Sequence, residues 1–205
     1  MTIDFGFSET IKGFMADNEA RCLYDTALTA SAMGPCLEIG SYCGKSAYFI
    51  GLACRENGSV LYSIDHHRGS EEQQPGQEYF DPDLYDSSYG VINTFEFFRQ
   101  TIKQAGLDET VIPVVTSSAT AGKMWATPIA MLFIDGGHTF EAAFNDYQTW
   151  AGHIVSGGFL VIHDIFMDPA AGGQAPRQIY EMALDSHQYQ TMGLTGTLGV
   201  LRKIQ

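Results

Sequence analysis

The chain has 205 residues, of which 45% are hydrophobic, so it can bury one substantial core, as expected for a single α/β domain of this length. Acidic residues outnumber basic ones by 24 to 11, and the formal charge of -13 disfavours nucleic acid and anionic membranes as partners. No apolar stretch approaches the roughly 20 residues that span a bilayer, and the opening Met1-Thr2-Ile3-Asp4 is unlike a secretory signal, so we expect a cytoplasmic protein acting on small molecules.

The first predicted elements are one or two amphipathic helices within residues 1–33. The residues that recur there at helical spacing are Ile11, Phe14, Met15, Cys22, Leu23, Thr26 and Ala30. We expect this stretch to form an N-terminal helical cap on the ligand side of a sheet.

A hydrophobic strand, Cys36 to Ile39, is followed by a turn that contains Gly40 and Gly44 and then by a helix. The glycines permit a tight turn and a close backbone approach to a ligand, and the free amides at the helix start favour a carboxylate or phosphate. Asp65 ends the next predicted strand, where a carboxylate can accept both hydroxyls of a ribose. The pattern predicts a site for a nucleoside-containing cofactor.

Two nucleotide motifs are close to this turn but do not fit it. Gly44-Lys45-Ser46 matches the end of a phosphate-binding loop, yet Ile39 stands where the first glycine of that motif belongs. A dinucleotide motif needs glycine where this chain has Tyr42, whose side chain would crowd a pyrophosphate. Glu38 would repel phosphates but suits the ammonium and sulfonium groups of S-adenosylmethionine. We therefore expect S-adenosylmethionine, and a nicotinamide-dependent oxidoreductase is the less favoured alternative.

The alternation of strands and helices continues to the end of the chain. The remaining predicted strands are Val60 to Asp65, Val111 to Val115, Met131 to Asp135, Phe159 to His163, and a hairpin of Tyr189 to Met192 and Thr197 to Arg202 around Gly196. Two of the remaining predicted helices run from Gly44 to a stop at Asn57-Gly58 and from Phe95 to a stop at Gly106. A third begins at a cap, Thr139, and has an inward stripe of Phe140, Phe144, Tyr147 and Trp150. The last runs from Pro176 to about Leu184.

One segment, residues 66–92, breaks the compact pattern because it has no sustained apolar period. Loops longer than about 15 residues are uncommon in compact domains and are usually functional or disordered. Four aromatic residues, Tyr79, Phe80, Tyr85 and Tyr89, are atypical of a solvated tail. We expect an inserted, ordered lid or a contact in a homodimer, within a single domain of residues 1–205.

The run Leu37 to Ala47 resembles the first motif of class I S-adenosylmethionine-dependent methyltransferases, most closely the small catechol and caffeoyl-CoA type O-methyltransferases. The resemblance extends through Asp65 and Met131 to Asp135 as far as Gly157 to Asp164, so it covers roughly residues 35–165. The segment Ile134 to His138 is similar in sequence to a segment of bacterial methyltransferases that modify antibiotics and other secondary metabolites. This resemblance implies an α/β fold with a Rossmann-like, seven-stranded, mostly parallel sheet, an antiparallel C-terminal hairpin and helices on both faces.

The resemblance also implies a set of cofactor-binding residues. Gly40 and Gly44 would form the turn, Tyr42 and Ser46 would face the methionine end of the cofactor, and Glu38 would bind its amino group. Asp65 would bind the ribose, and Ser118 and Ala119 the adenine. His66 would cover the adenine ring, and Asp135 would line the same pocket. The implied activity is transfer of a methyl group to a small-molecule acceptor, which we expect to be a hydroxylated metabolite. N-methylation stays open, and a non-catalytic S-adenosylmethionine-binding protein is the leading alternative.

Methyl transfer from a sulfonium needs a positioned acceptor and a group that removes its proton. His138 follows Asp135 by three residues at a helix start, and it is our candidate general base. The positive end of that helix is expected to lower its pKa. In the catechol-type relatives a lysine base occupies the matching place.

A divalent metal such as Mg²⁺ would lower the pKa of the acceptor hydroxyl, and Asp135 and Asp164 at strand ends suit such an ion. The relatives use this arrangement, but here Ile165 replaces an asparagine ligand. His163 is the candidate that completes the set, with His138 or a residue of the 66–92 loop as alternatives. A softer site formed by Asp135 with His66, His67, Glu71 and Glu72 is a further alternative, although a solvated loop explains those four residues equally well.

Overall fold

The computed structural model describes residues 3–204, so Met1, Thr2 and Gln205, at the ends of the predicted domain, lie outside the described residues. The strands are β1 (Cys36–Ile39), β2 (Leu61–Asp65), β3 (Tyr85–Asp86), β4 (Val91–Ile92), β5 (Val111–Val115), β6 (Ile129–Ile134), β7 (Ile154–Ile162), β8 (Tyr189–Thr195) and β9 (Leu198–Lys203). The helices are α1 (Phe5–Glu9), α2 (Asp17–Ser31), α3 (Lys45–Glu56), α4 (Phe95–Gln104), α5 (Ser118–Gly122), α6 (Phe140–Trp150) and α7 (Ala175–Asp185).

Seven of these strands form one sheet in the order β5-β2-β1-β6-β7-β9-β8. The pairs among β5, β2, β1, β6 and β7 are parallel, whereas β9 runs antiparallel to β7 and β8 antiparallel to β9. The predicted Rossmann-like sheet with its terminal hairpin is therefore confirmed. The strand order reverses between β1 and β6, and the carboxyl ends of strands at such a point form the crevice in which open α/β sheets bind ligands.

Helices cover both faces of the sheet, so its central strands are buried on both sides. Every residue of β1 and β6 is buried. Along β6 the side chains alternate, so that Phe133 packs in a cluster with α2 and α3, and Leu132 packs in a second cluster with α6 and α7. This alternation follows from the two-residue period of a strand.

The N-terminal segment differs in part from its prediction. The expected stripe began at Ile11, but residues 10–16 connect α1 to α2, and Phe14 in this connection is 63% exposed. Gly13 has a φ of 151°, which interrupts the helical conformation between the two helices. Ile11 in this connection is nevertheless buried, and Leu23 and Ala30 of the stripe are buried in α2.

Residues 66–92 form short 3-10 turns at Glu71–Gln73 and Pro82–Leu84 and the two-residue strands β3 and β4. Leu84 and Ile92 pack with Cys43 of the glycine turn, and Lys12 pairs with Asp81 at 2.5 Å. These contacts hold the segment, called the 66–92 loop below, against the glycine turn and the N-terminal connection. Its functions as a lid or as a homodimer contact stay predictions.

The predicted inward stripe of α6 is wrong at its first residue. Trp150 is fully buried, but Phe140 is 48% exposed and stacks on the ring of Phe144, with 5.6 Å between the ring centroids. Phe140 stands in the first turn of α6, at the open edge of the sheet, where its predicted cap Thr139 accepts a hydrogen bond from the backbone N–H of Ala142. Within residues 3–204, no helix combines the length and the apolar character that a membrane crossing requires.

Candidate active site

The glycine turn after β1 has the backbone conformation that its sequence predicts. Gly40 and Gly44 have φ values of 85° and 92°, and Tyr42 between them also has a positive φ, of 47°. A Cβ atom on Gly40 would lie 2.0 Å from the carbonyl oxygen of Asp135. Only glycine fits there, because the turn packs directly on the end of β6.

The carboxylate of Asp65 holds this turn in place. One oxygen accepts hydrogen bonds from the backbone N–H groups of Ser41 and Tyr42, each at 2.9 Å, and the other accepts one from His67 at 2.7 Å. A carboxylate offers about four acceptor positions, so one remains beside the turn for a ribose hydroxyl. The role of Asp65 in binding ribose stays a prediction.

Glu38 lies beneath the turn and is fully buried. It accepts hydrogen bonds from the hydroxyls of Ser46 at 2.8 Å and Ser63 at 2.6 Å. Burial raises the pKa of this carboxyl group from 4.5 to about 8, because the charged form loses its hydration, and the two hydroxyls offset only part of that effect. Its predicted contact with the cofactor's amino group stays a prediction.

We expect Glu38→Gln to raise the melting temperature of the cofactor-free protein at pH 8.5 by at least about 3 °C. Because the pKa in the folded protein is above its unfolded value, the folded state holds this proton more tightly, and the associated stability is lost as the pH rises from 4.5 through about 8. Glutamine does not ionise and escapes that loss. Thermal unfolding between pH 5 and pH 9 measures the effect, and parallel pH profiles of the two proteins would contradict it.

The adenine-binding candidates Ser118 and Ala119 begin α5, a helix that the sequence analysis did not predict. The Ser118 hydroxyl accepts a hydrogen bond from the indole N–H of Trp150 at 2.8 Å, which ties α5 to α6. His66, the candidate cover of the ring, is exposed and lies 3.9 Å from a carboxylate oxygen of Asp65. The contacts of these three residues with adenine stay predictions.

Two carboxylates and one imidazole meet at the carboxyl ends of β6 and β7. Asp135 follows β6, Asp164 follows β7 with a φ of 58°, and His138 stands just before α6. One ligand atom from each lies within 4.8 Å of the other two. The structure therefore brings together the two predicted metal carboxylates and the predicted general base.

His163, the predicted third metal ligand, is buried on the other side of Asp135. Its Nδ1 lies 3.2 Å from Asp135 and its Nε2 lies 3.3 Å from Glu19 of α2. Although burial lowers it, the charge of Asp135 and the hydrogen bonds to Asp135 and Glu19 raise the pKa of His163 to about 11. A protonated imidazole has no lone pair for an ion, so in this arrangement His163 supports Asp135, and its role as a ligand stays a prediction.

Glu19 is a residue that sequence reasoning missed. Its carboxylate also accepts hydrogen bonds from the backbone N–H and the hydroxyl of Thr197, in the turn between β8 and β9. Although burial raises it, the hydrogen bonds from His163 and Thr197 lower the pKa of Glu19 to about 2. Glu19 also accepts a hydrogen bond from the backbone N–H of Ala16 at 3.1 Å, at the start of α2. No local pattern links Glu19 to partners more than 140 residues away.

The expectation that the helix end lowers the pKa of His138 was wrong. Nε2 of His138 lies 3.1 Å from Asp164, and Nδ1 lies 2.9 Å from Glu72 of the 66–92 loop. The hydrogen bond to Asp164, with a further contribution from Glu72, raises the pKa of His138 to about 9 despite partial burial. Two full negative charges outweigh the partial positive charge of a helix start.

The alternative site of His66, His67, Glu71 and Glu72 with Asp135 is not formed. His67 is buried, its Nδ1 lies 2.8 Å from the hydroxyl of Thr94, and its ring packs against aromatic residues. Within the described part of the chain, the cluster of Asp135, His138 and Asp164 is the sole group of three or more acidic, histidine or cysteine residues spaced to hold an ion. Of the four loop residues, Glu72 alone contacts that cluster, through His138.

Comparisons with known proteins show the family and the fold of the chain. Residues 37–165, more than half of the chain, match a family described as "Methyltransferase domain". The O-methyltransferase TomG from Streptomyces achromogenes, involved in tomaymycin synthesis and solved with SAM, is 17% identical with a TM-score of 0.63, and the match covers 94% of this chain and 82% of TomG. An O-methyltransferase from Bacillus cereus, solved with SAH, is 12% identical with a TM-score of 0.69 and coverage of 100% and 93%.

The same fold also occurs in an rRNA methylase from Streptococcus thermophilus, which is 12% identical with a TM-score of 0.59 and coverage of 94% of this chain and 100% of that protein. The TM-scores and coverages establish a shared fold, and identities this low leave the acceptor open. The family match also sets aside the nicotinamide-dependent oxidoreductase. The chain belongs to the methyltransferase-domain family and is, as the first motif predicted, a class I S-adenosylmethionine-dependent methyltransferase.

Proposed function

We propose that the chain methylates a hydroxyl group of a small metabolite with the assistance of a divalent ion. The observation that carries this proposal is the meeting of Asp135, His138 and Asp164 within 4.8 Å, beside the glycine turn. An RNA acceptor is disfavoured because the chain has a formal charge of -13 and the site itself is acidic.

The two carboxylates fit a hard divalent ion such as Mg²⁺ or Mn²⁺. The imidazole is a more usual ligand of softer ions, so of these two it favours Mn²⁺. Asp135, Asp164 and Nε2 of His138 would hold it, while Ile165 is 2% exposed and apolar and contributes nothing. When bound, such an ion lowers the pKa of a nearby hydroxyl and orients it. His163 would hold one oxygen of Asp135 at 3.2 Å and thereby fix its orientation.

The cofactor would lie over the glycine turn, with its carboxylate towards the free amides at the start of α3. S-adenosylmethionine supplies a methyl group on a sulfonium that is already a good leaving group. The protein therefore has to align the acceptor and remove its proton. Nδ1 of His138 is engaged by Glu72, so Nε2 is the one ring nitrogen left for chemistry. A single nitrogen cannot bind an ion and accept a proton at the same time, so His138 is either a ligand or a base. We favour the ligand role, and the general-base role stays a prediction.

A groove of about 430 Å³ lies between the N-terminal connection and the 66–92 loop, and this volume suits a small molecule. Phe14, Tyr42 and Tyr79 line it, and the ring of Phe14 contacts the other two rings. Because Tyr42 belongs to the glycine turn, the groove leads towards the cofactor position. We infer that the acceptor enters along this groove.

Methyl transfer from labelled S-adenosylmethionine to a panel of hydroxylated metabolites tests the proposal, with Mg²⁺ or with EDTA. The expected result is an O-methylated product that forms only with the ion. Transfer that persists in EDTA would contradict the role of the ion, and an N-methylated product would contradict the acceptor class. Calorimetry with S-adenosylhomocysteine and NAD, side by side, checks the cofactor, and binding of NAD alone would overturn the whole proposal.

We expect ion affinity to rise about tenfold per pH unit between pH 7 and pH 9 and then to level off. The pKa of His138 is about 9 in the ion-free protein, so below that pH a proton must leave before Nε2 can bind an ion. Titration with Mn²⁺ at pH 7, 8 and 9, followed by electron paramagnetic resonance, measures the slope. A flat profile would exclude His138 as a ligand.

A further inference from the structure

We propose that Glu72 is a positioning residue for His138, and that this contact links ion binding in the active site to the order of the 66–92 loop. The inference rests on the ion site of the proposed function. It adds a residue from outside the sheet edge, and it connects the metal site to one wall of the groove.

The contact has the geometry of a carboxylate that orients a metal-binding histidine. Oε2 of Glu72 lies 2.9 Å from Nδ1 of His138, and Nε2 of the same ring lies 3.1 Å from Asp164. With Nδ1–H directed at Glu72, the ring presents Nε2 to the cluster. Metal-binding histidines usually donate their second N–H to such a partner, and loss of that partner typically weakens metal binding 10- to 100-fold.

The main chain around Glu72 carries the contact into the loop. Glu72 lies in the 3-10 turn Glu71–Gln73, which is closed by a hydrogen bond from the N–H of Ser70 to the side chain of Gln73 at 3.0 Å. The carbonyl of Glu72 accepts a hydrogen bond from the N–H of Tyr79 at 3.1 Å. This hydrogen bond couples the position of Glu72 to the backbone of Tyr79, a residue that lines the groove.

The loop has a second attachment, where Lys12 pairs with Asp81 at 2.5 Å and with Asp83 at 2.9 Å. Glu72 thus holds the first part of the loop. Lys12 holds the second part, together with the packing of Leu84 and Ile92 described above. When Nε2 of His138 is engaged by an ion, the ring can no longer turn, and its Nδ1–H becomes a stronger donor to Glu72. By reciprocity, a contact that is strengthened by the ion must in turn strengthen ion binding.

Glu72→Ala tests the inference, with Glu71→Ala as its matched control. The two glutamates are adjacent and both exposed, and replacing either removes the same charge, but Glu72 contacts His138 and Glu71 does not. One readout is Mn²⁺ affinity, measured by electron paramagnetic resonance. The other is hydrogen exchange of residues 66–92 with and without Mn²⁺.

For wild type we expect Mn²⁺ to slow exchange in the loop. Glu72→Ala should weaken Mn²⁺ binding about tenfold and abolish that slowing, whereas Glu71→Ala should change neither. Glu72→Gln keeps an oxygen that accepts the Nδ1–H hydrogen bond, so it should be intermediate. A purely structural role of Glu72 would alter exchange equally with and without the ion.

Equal effects of the two alanine variants would overturn the inference, because they would indicate a general effect of charge. Unchanged Mn²⁺ binding in Glu72→Ala, with binding lost in Asp164→Asn, would overturn the inference alone and leave the proposed function intact. Failure of the wild-type protein to bind Mn²⁺ would overturn both.

Discussion

Asp164→Asn is expected to abolish measurable Mn²⁺ binding and to lower turnover at least about 100-fold. The replacement removes one of the two carboxylates of the cluster and the charged partner of Nε2 of His138. Asparagine is the informative choice because residue 164 has a φ of 58°, a conformation that asparagine tolerates better than most residues. The backbone should therefore stay in place, and the loss reports on the charge.

Asp168→Asn provides the matched control for this variant. Asp168 lies four residues further along the same connection, is exposed, and accepts a hydrogen bond from the N–H of Ala170 at 2.9 Å. Its replacement changes the net charge equally, yet we expect turnover within about twofold of wild type. If Asp164→Asn retained Mn²⁺ binding and more than a tenth of the wild-type turnover, the ion-assisted mechanism would be wrong.

Much of the fold was predictable because its boundaries are set by local signals. Asn57 and Gly58 end α3, Gly106 follows α4 with a φ of 63°, and Thr139 caps α6. Each of these residues acts on its own neighbours, so the sequence is sufficient to locate them. The prediction at Phe14 failed because apolar spacing continued across Gly13, where the chain changes direction.

The active site was predictable only as far as strand ends determine it. Asp135 and Asp164 follow neighbouring parallel strands, and such ends must meet at one edge of the sheet. The choice between His138 and His163 depends instead on Glu72 and Glu19, which are distant in sequence. The direction of the pKa shift of His138 was missed because its largest cause is a direct hydrogen bond to Asp164, with a further contribution from Glu72. Strand order places Asp164 at this edge but does not predict that bond.

The second large effect is expected for Gly40→Ala, which should lower the free energy of unfolding by about 3 kcal/mol and abolish cofactor binding. A methyl group at residue 40 would lie 2.0 Å from the carbonyl oxygen and 2.7 Å from the carbonyl carbon of Asp135. Both are backbone atoms, so relief of the clash requires β1 and β6 to separate where they are hydrogen-bonded. The positive φ of 85° adds a further cost.

Gly58→Ala separates these two costs. Gly58 also has a positive φ, of 64°, but a Cβ atom there would meet no other atom within 4 Å. Its replacement should cost only about 1 kcal/mol and leave cofactor binding unchanged. Urea unfolding and calorimetry with S-adenosylhomocysteine on both variants give the comparison. Equal losses of unfolding free energy would mean that the turn and Asp135 are not in close contact. A larger loss for Gly40→Ala, accompanied by loss of cofactor binding, would mean that the glycine turn and the acidic cluster form one rigid unit.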